Sequence, residues 1–310
     1  MTDPSRIWVL ADPRAGTAAQ ALGIAERLGT PFHTVELAWG GLSRLPWPWP
    51  SLAGVAPAAR QALAPPWPEL VISAGRRSAP VARWLGRQGA RTVHAMRPGF
   101  GASGFDLLVI GRHDRPREAS NILPILGAAH RMSARRLAEA RAEWAPTLGT
   151  LPALRVALLL GGAVRAEGLE PGLVAELAHR AAAFGGSVMA TTSRRSGVAA
   201  RPVLEEALRG TPHVLHGWQD GGANPYAGFL AWADVVVVTG DSVSMISEAL
   251  ATGAPVFIAE TTDAPRHRAL WRSLYEAGQA RPFVAAAPFA RQPVDEAARV
   301  AEAIRARGWA

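Results

Sequence analysis

At 310 residues, with 49% hydrophobic and 19% charged residues, the chain has apolar material for two domains of ordinary size and is no disordered polypeptide. Cysteine is absent, which excludes disulfides, a thiolate nucleophile and a Cys-ligated zinc, and suits a reducing compartment. The net charge is +8 and all 33 basic residues are arginine, which excludes Schiff-base catalysis and a P-loop lysine. The arginines fit either a GC-rich coding bias or an anionic partner.

In chain order, residues 1–9 carry no long apolar run, so no secretory signal is expected. Residues 6–10 read as a buried strand. The loop Asp12-Pro13-Arg14-Ala15-Gly16 follows, and then a helix over 17–28 with Ala21, Ile24, Ala25 and Leu28 on one face. Further strands fit 32–37, 70–73, 91–94 and 105–110, with a helix over 78–88. Between Pro46 and Pro68 the prolines break regular structure into loop, with room for one short helix. A polar helix over 135–144 precedes Pro146, Gly149 and Pro152, which places a domain boundary at 150/151.

The second half restarts the alternation. Strands are expected over 156–160, 187–191, 213–215, 234–238 and 255–259. Helices are expected over 171–184, 202–208, 226–232, 242–252 and 294–307. Strand and helix in alternation predict a parallel, doubly wound α/β sheet in each half: residues 1–150 and 151–310, with the terminal helix free to pack back on the first. The longest aliphatic stretches, near Leu158 and Val235, are strand-sized and short of the roughly 20 residues that span a bilayer. A soluble cytoplasmic protein, at most peripheral on the inner face of a membrane, is the expectation.

The strongest chemical signal is the strand 235–238 running through Thr239-Gly240-Asp241-Ser242 into a helix carrying Ser244 and Glu248. Free amides of a first helical turn, and the helix dipole, suit a diphosphate, and Glu248 suits a ribose diol. The plain alternative is an N-cap by Asp241 or Ser242 with Glu248 in solvent. Gly161-Gly162 and Thr192-Ser193-Arg194-Arg195 also follow strand ends, the edge where open parallel sheets bind ligands. Arginine there can clamp phosphate, although Arg194 and Arg195 also fit an exposed pair.

In the first half, Asp12, Arg14 and Gly16 occupy the equivalent turn, and Ser73-Ala74-Gly75-Arg76-Arg77-Ser78 repeats the design. No G-x-G-x-x-G is present, which counts against NAD. His113-Asp114 is an acid/base candidate or a structural pair, with Asn121 beyond it. The eight histidines show no metal-ligand spacing, so no metal site is expected, and no G-x-S-x-G elbow is present. No basic helix is interleaved with aromatics, which argues against nucleic acid. Trp47, Trp49 and Trp67 are core residues by default; exposed, they would form a membrane-interface patch near Arg44 and Arg60.

These pieces together resemble the bacterial relatives of the plant "elongated mitochondria" fission protein, a family assigned to the glycosyltransferases. The matching residues are Asp12 to Gly16 with Gln20 and Gly23, Ala74 to Ser78, His113-Asp114 with Asn121, Gly161-Gly162, Thr192 to Arg195, Asn224-Pro225-Tyr226, and Thr239 to Glu248. The second-half motif is also similar to that of GT-B glycosyltransferases that add N-acetylglucosamine to lipid-linked precursors. The resemblance implies two Rossmann-like domains facing a cleft, with a UDP- or GDP-sugar donor held by the second domain and no cofactor. Ser242 to Ser244 would contact diphosphate and Glu248 the ribose. Arg14, Gly16, Gly75, Arg76 and Asn121 would serve an envelope or lipid-linked acceptor, with Asp12, His113 or Asp114 as base. Rival readings are a non-catalytic interaction protein on the same scaffold, a non-hydrolysing nucleotide-sugar epimerase and, last, a dinucleotide oxidoreductase.

Overall fold

The computed structural model describes residues 6–45, 47–162, 168–284 and 287–310. Pro46, part of the proline-rich loop, lies outside the described residues. Contacts divide the chain into unit 1, which runs to Arg131 and resumes at Asp295–Ala310, and unit 2, Met132–Val294.

Unit 1 contains β1 (Ile7–Ala11), α1 (Ala15–Leu28), β2 (His33–Glu36), α2 (Pro57–Arg60), β3 (Leu70–Ala74), α3 (Ala79–Arg87), β4 (Arg91–Ala95), β5 (Leu107–Gly111) and β6 (Ile122–Ile125). The strands form one sheet in the order β2-β1-β3-β4-β5-β6, with every pairing parallel. Both faces are covered, so the strands are apolar at successive positions rather than alternating. Ile7, Val9, Leu70 and Ile72 pack with Ala21, Ile24 and Leu28 of α1, while Trp8, Leu10, Val71 and Leu108 pack on the other face with Val81, Ala82 and Leu85 of α3. Strand β6 escapes sequence reading because Pro124 interrupts it. It is tolerated at this position because β6 is an edge strand, where a missing ladder donor costs little.

Unit 2 contains α4 (Ala134–Glu143), α5 (Ala145–Leu148), β7 (Arg155–Leu160), α6 (Pro171–Phe184), β8 (Ser187–Thr192), α7 (Ala200–Ala207), β9 (His213–His216), α8 (Tyr226–Trp232), β10 (Val235–Thr239), α9 (Val243–Ala249), β11 (Val256–Ala259), α10 (Pro265–Glu276) and β12 (Arg281–Pro282). Its sheet runs β12-β11-β10-β7-β8-β9, again parallel throughout. That is the Rossmann order, with the switch between β7 and β10.

The polar helix α4 belongs to this second unit, so the division falls at 131/132 and not at the composition break near 150. The cause is aromatic and polar packing onto α8: Trp232 donates from Nε1 to the Arg141 carbonyl at 2.9 Å, and the Arg141 guanidinium lies 4.1 Å from the Trp232 ring. The last helix, α11 (Glu296–Arg305), lies in unit 1, where Ala297, Val300, Ala301 and Ile304 complete the core beside α1.

Candidate functional site

In unit 2 the loops after β7, β8 and β10 meet at the carboxyl edge of the sheet. The Gly161 amide donates to Thr239 Oγ1 at 2.7 Å, which ties the β7 and β10 ends together. Ser193 donates from Oγ to the Gly161 carbonyl at 2.6 Å, and Ser196 donates to the same carbonyl, which joins the β8 loop. A Cβ on Gly161 would come within 2.7 Å of Asp241 Oδ1 and of Ser242 Cβ. At Gly162, whose φ is +144, a Cβ would sit 2.0 Å from the Arg195 carbonyl oxygen. Both glycines are therefore demanded by close approach. Both Arg194 and Arg195 are exposed, and Arg195 reaches across from Nη2 to Ser242 Oγ at 3.4 Å.

Ser242 is the N-cap of α9, and its hydroxyl accepts weakly from the Met245 amide at 3.5 Å. The first intrahelical bond of α9 runs from the Ile246 amide to the Ser242 carbonyl, so the amides of Val243 and Ser244 precede the hydrogen-bonded ladder. Asp241 does not cap. Its side chain is buried, and among the described residues neither carboxylate oxygen has a hydrogen-bond partner. Thr192, also buried, accepts from the Trp218 amide at 3.2 Å.

Glu248 is not in solvent, as the plainer alternative expected. It is partly buried and accepts from the Tyr226 hydroxyl at 2.6 Å. Burial pushes the Glu248 carboxyl above its ordinary range, against the Tyr226 bond and the nearby Arg136 charge. The Tyr226 phenol is raised as well, by burial first and then by Glu248.

Sequence reading missed α10, which closes the β10 loop. Trp271 donates from Nε1 to the Gly240 carbonyl at 2.8 Å, and a Cβ on Gly240 would strike the Trp271 ring at 2.4 Å. His267 hydrogen-bonds the Asp241 backbone; burial lowers its pKa, against the attraction of Asp241. The apolar spacing of Leu270, Trp271 and Leu274 in α10 was the available signal.

In unit 1 the loops after β1 and β3 are neighbours. Gly75 has φ +83, and a Cβ there would lie 2.7 Å from Thr17 Cγ2. Gly16 lies in the first turn of α1. Asp12 accepts from the Arg14 amide at 2.8 Å, from Arg14 Nε at 2.9 Å and from Trp39 Nε1 at 3.0 Å. Burial raises its pKa, but the Arg14 bonds and charge and the Trp39 bond outweigh it, so the net shift is downward. With its side chain fully covered, Asp12 in this state closes the turn and does not present a base.

His113 is buried in a 3₁₀ turn, with Nε2 3.7 Å from Asp114 Oδ2. Asn121 is a correction. It precedes β6, hence stands at the amino edge of a parallel sheet, and its side chain donates to the Phe105 carbonyl at 3.0 Å. It is not brought to the Asp12 and Gly75 edge. Trp67 follows the default expectation of a core residue and not the interfacial alternative: it packs edge-on to Trp84 at 5.3 Å and Trp8 at 6.3 Å, in an aromatic cluster on the unit 1 core. Arg76 lines a cavity described below.

A family model described as mitochondrial fission ELM1 matches residues 15–308. The chain belongs to the mitochondrial fission ELM1 family. Among its relatives is the mitochondrial fission protein ELM1 of Arabidopsis thaliana, 30% identical over 298 residues that cover 83% of this chain and 68% of the relative. An uncharacterised protein of Rickettsia prowazekii, RP120, is 23% identical across 96% of this chain and 97% of its own length.

Among solved structures, this ELM1-family chain is similar to Acinetobacter baumannii MurG, with a TM-score of 0.50 and 12% identity, over 98% of this chain and 91% of that one. It is also similar to Os79 from O. sativa, solved in complex with UDP, with a TM-score of 0.52 and 11% identity, over 96% and 90% of the two chains. Identity this low shows the fold alone, and the fold is that of the GT-B glycosyltransferases. Among the described residues no group of His, Cys, Asp and Glu is arranged to hold a metal ion. No helix of the described residues is long and apolar enough to cross a membrane.

Proposed function

We propose that this ELM1-family chain is a glycosyltransferase that takes a sugar from a UDP- or GDP-type donor and passes it to an envelope or lipid-linked acceptor. The observation that carries the reading is the junction of three loops at the unit 2 switch point, where Gly161 and the Arg195 guanidinium both meet the Asp241-Ser242 turn.

In this reading Gly161 and Gly162 let the donor approach the main chain closely, and Thr192, Ser193, Ser242 and Ser244 supply hydroxyl or amide hydrogen-bond donors. Arg194 and Arg195 stabilise the diphosphate as it leaves, in place of a metal cation. Thr239 and Gly240 hold the turn, and Glu248, oriented by Tyr226, accepts from the ribose through its remaining oxygen. Arg14, Gly16, Gly75 and Arg76 face the acceptor on unit 1, and His113-Asp114 remains the acid/base candidate there. The test is calorimetric titration of the full chain with UDP, GDP and their sugars. Arg195→Ala should weaken nucleoside diphosphate binding about tenfold or more. No heat with any nucleotide at millimolar concentration refutes the reading.

A second reading has its own support: a GT-B scaffold that binds partners and transfers nothing. The buried Asp241 carboxylate has no hydrogen-bond partner among the described residues, and a negative charge at the turn is a poor neighbour for a diphosphate. Here Asp241→Asn separates the two. It should tighten UDP binding if phosphate sits at the turn, and leave the titration flat if the scaffold is silent.

A further inference from the structure

Among the described residues of unit 1, four large apolar side chains stand exposed: Leu42 at 51%, Leu45 at 52%, Trp49 at 56% and Phe100 at 60%. They are not scattered. Leu45 and Phe100 line one cavity of about 100 Å³, Leu42 lies in the 3₁₀ turn beside Leu45, and Trp49 stacks edge-on with the lining residue Trp47 at 5.8 Å. The lining is contributed by the segments that follow β2, β3 and β4, all at the carboxyl edge of the sheet. Scattered apolar residues need no explanation, but a contiguous patch around a pocket does.

The pocket's charge has one sign. Arg76 and Arg77 line it and no acidic residue does. Neither arginine forms an ion pair among the described residues, and Arg44, in the Leu42 turn, forms none either. Beneath the rim Arg83 donates to the Pro48 carbonyl at 2.9 Å, and its guanidinium passes so close to Gly101 that a Cβ there would lie 2.1 Å from Nη1. One half-buried cation thus braces both the Trp47–Trp49 segment and the segment beyond Phe100. The rim is ordered in advance, which lowers the entropic cost of docking.

We infer that this face docks onto an anionic membrane, with a lipid phosphate held by Arg76 and Arg77 and Leu42, Leu45, Trp49 and Phe100 seated in the headgroup layer. Charge complementarity selects the occupant. A cavity this small takes a phosphate head and the first carbons of its chains, not a peptide segment. Indole and aliphatic side chains around a cationic centre match the chemical order of a bilayer surface, with the anion shallow and the apolar layer beside it. The site shares Arg76 with the acceptor side of the proposed function but no residue with the donor loops of unit 2, so loss of membrane binding and loss of nucleotide binding are read separately.

The experiment is co-sedimentation of the full chain with vesicles of phosphatidylcholine, with and without about 30 mol % phosphatidylglycerol. Partition onto the anionic vesicles should exceed that onto neutral ones roughly tenfold at low salt, and fall as salt screens the arginines. R76Q/R77Q should erase the preference for anionic lipid. W49S/F100S should reduce binding to both vesicle types roughly tenfold. All four side chains lie at the surface or in an open pocket, and unchanged melting of the variants confirms that loss of binding is not loss of fold. A millimolar glycerol phosphate competitor that abolishes pelleting would assign the pocket to a soluble phosphate and overturn the proposal. Equal pelleting by W49S/F100S, no pelleting at all, or a dimer in the absence of vesicles that W49S/F100S dissolves, would each overturn it too.

Discussion

At the residue scale, the clearest consequence of burial is His94. Its ring stacks on Phe105 with centroids 4.7 Å apart, its Nδ1 is 2.8 Å from Ser73 Oγ, and Nε2 has no hydrogen-bond partner among the described residues. Burial holds the imidazole neutral and lowers its pKa from 6.5 to about 3. Between those values the unfolded chain binds the proton and the folded one does not. Stability from this residue is therefore complete above about pH 6.5 and drains away as pH falls toward about 3. Urea midpoints measured from about pH 7 to about pH 5 should decline for the wild type, and H94Q should flatten much of that decline. None of this was legible beforehand: His94 reads only as one residue of a strand, and burial is a property of what packs around it.

At the element scale, α9 is short, seven residues from Val243 to Ala249, and cannot stand on its own hydrogen bonds. Its carboxyl end is held by Arg291, which donates to the carbonyls of Ala249 at 2.9 Å, Leu250 at 3.0 Å, Thr252 at 2.7 Å and Ala254 at 2.7 Å. Burial lowers its pKa to about 10, still a cation near neutrality, which also suits the negative end of a helix. R291A strands several carbonyls at once and should cost about 2–4 kcal/mol in the unit 2 transition, read by urea denaturation. R291K should recover part of it, because one ammonium replaces only some of the bonds. The strand–loop–helix itself was visible in the sequence, from the valine run and the small residues after it. Its anchor was not, since Arg291 lies about 40 residues further along in a segment without periodicity.

For the whole molecule, the chain leaves unit 1, builds unit 2, and returns to finish the first core. Ile304 and Val300 of α11 are fully buried there with Ala297 and Ala301, against α1. Ile304→Ala removes buried methyl groups and should cost about 2–5 kcal/mol. Far-UV melting should show that loss in the unit 1 transition, leaving the unit 2 transition in place. A single transition shifted as one would contradict the division into two cores.

The sequence by itself determined the class of fold, because a strand buried on both faces must be a continuous apolar run and a crossover helix must show one apolar stripe. It also placed the loops at Gly161, Arg195 and Ser242 at the carboxyl edge of the second sheet, since residue order along a parallel strand fixes which end a loop leaves from. Tertiary structure alone decided which polar groups in those loops are free. In unit 1 Asp12 is consumed by Arg14 and Trp39; in unit 2 Glu248 is claimed by Tyr226, and Asp241 is left without a partner among the described residues. It also separated Trp67 from Trp49, and Asn121 from Asp12. The Trp39 bond to Asp12 and the Tyr226 bond to Glu248 join residues more than 20 positions apart in the chain, which the order and type of local residues do not encode.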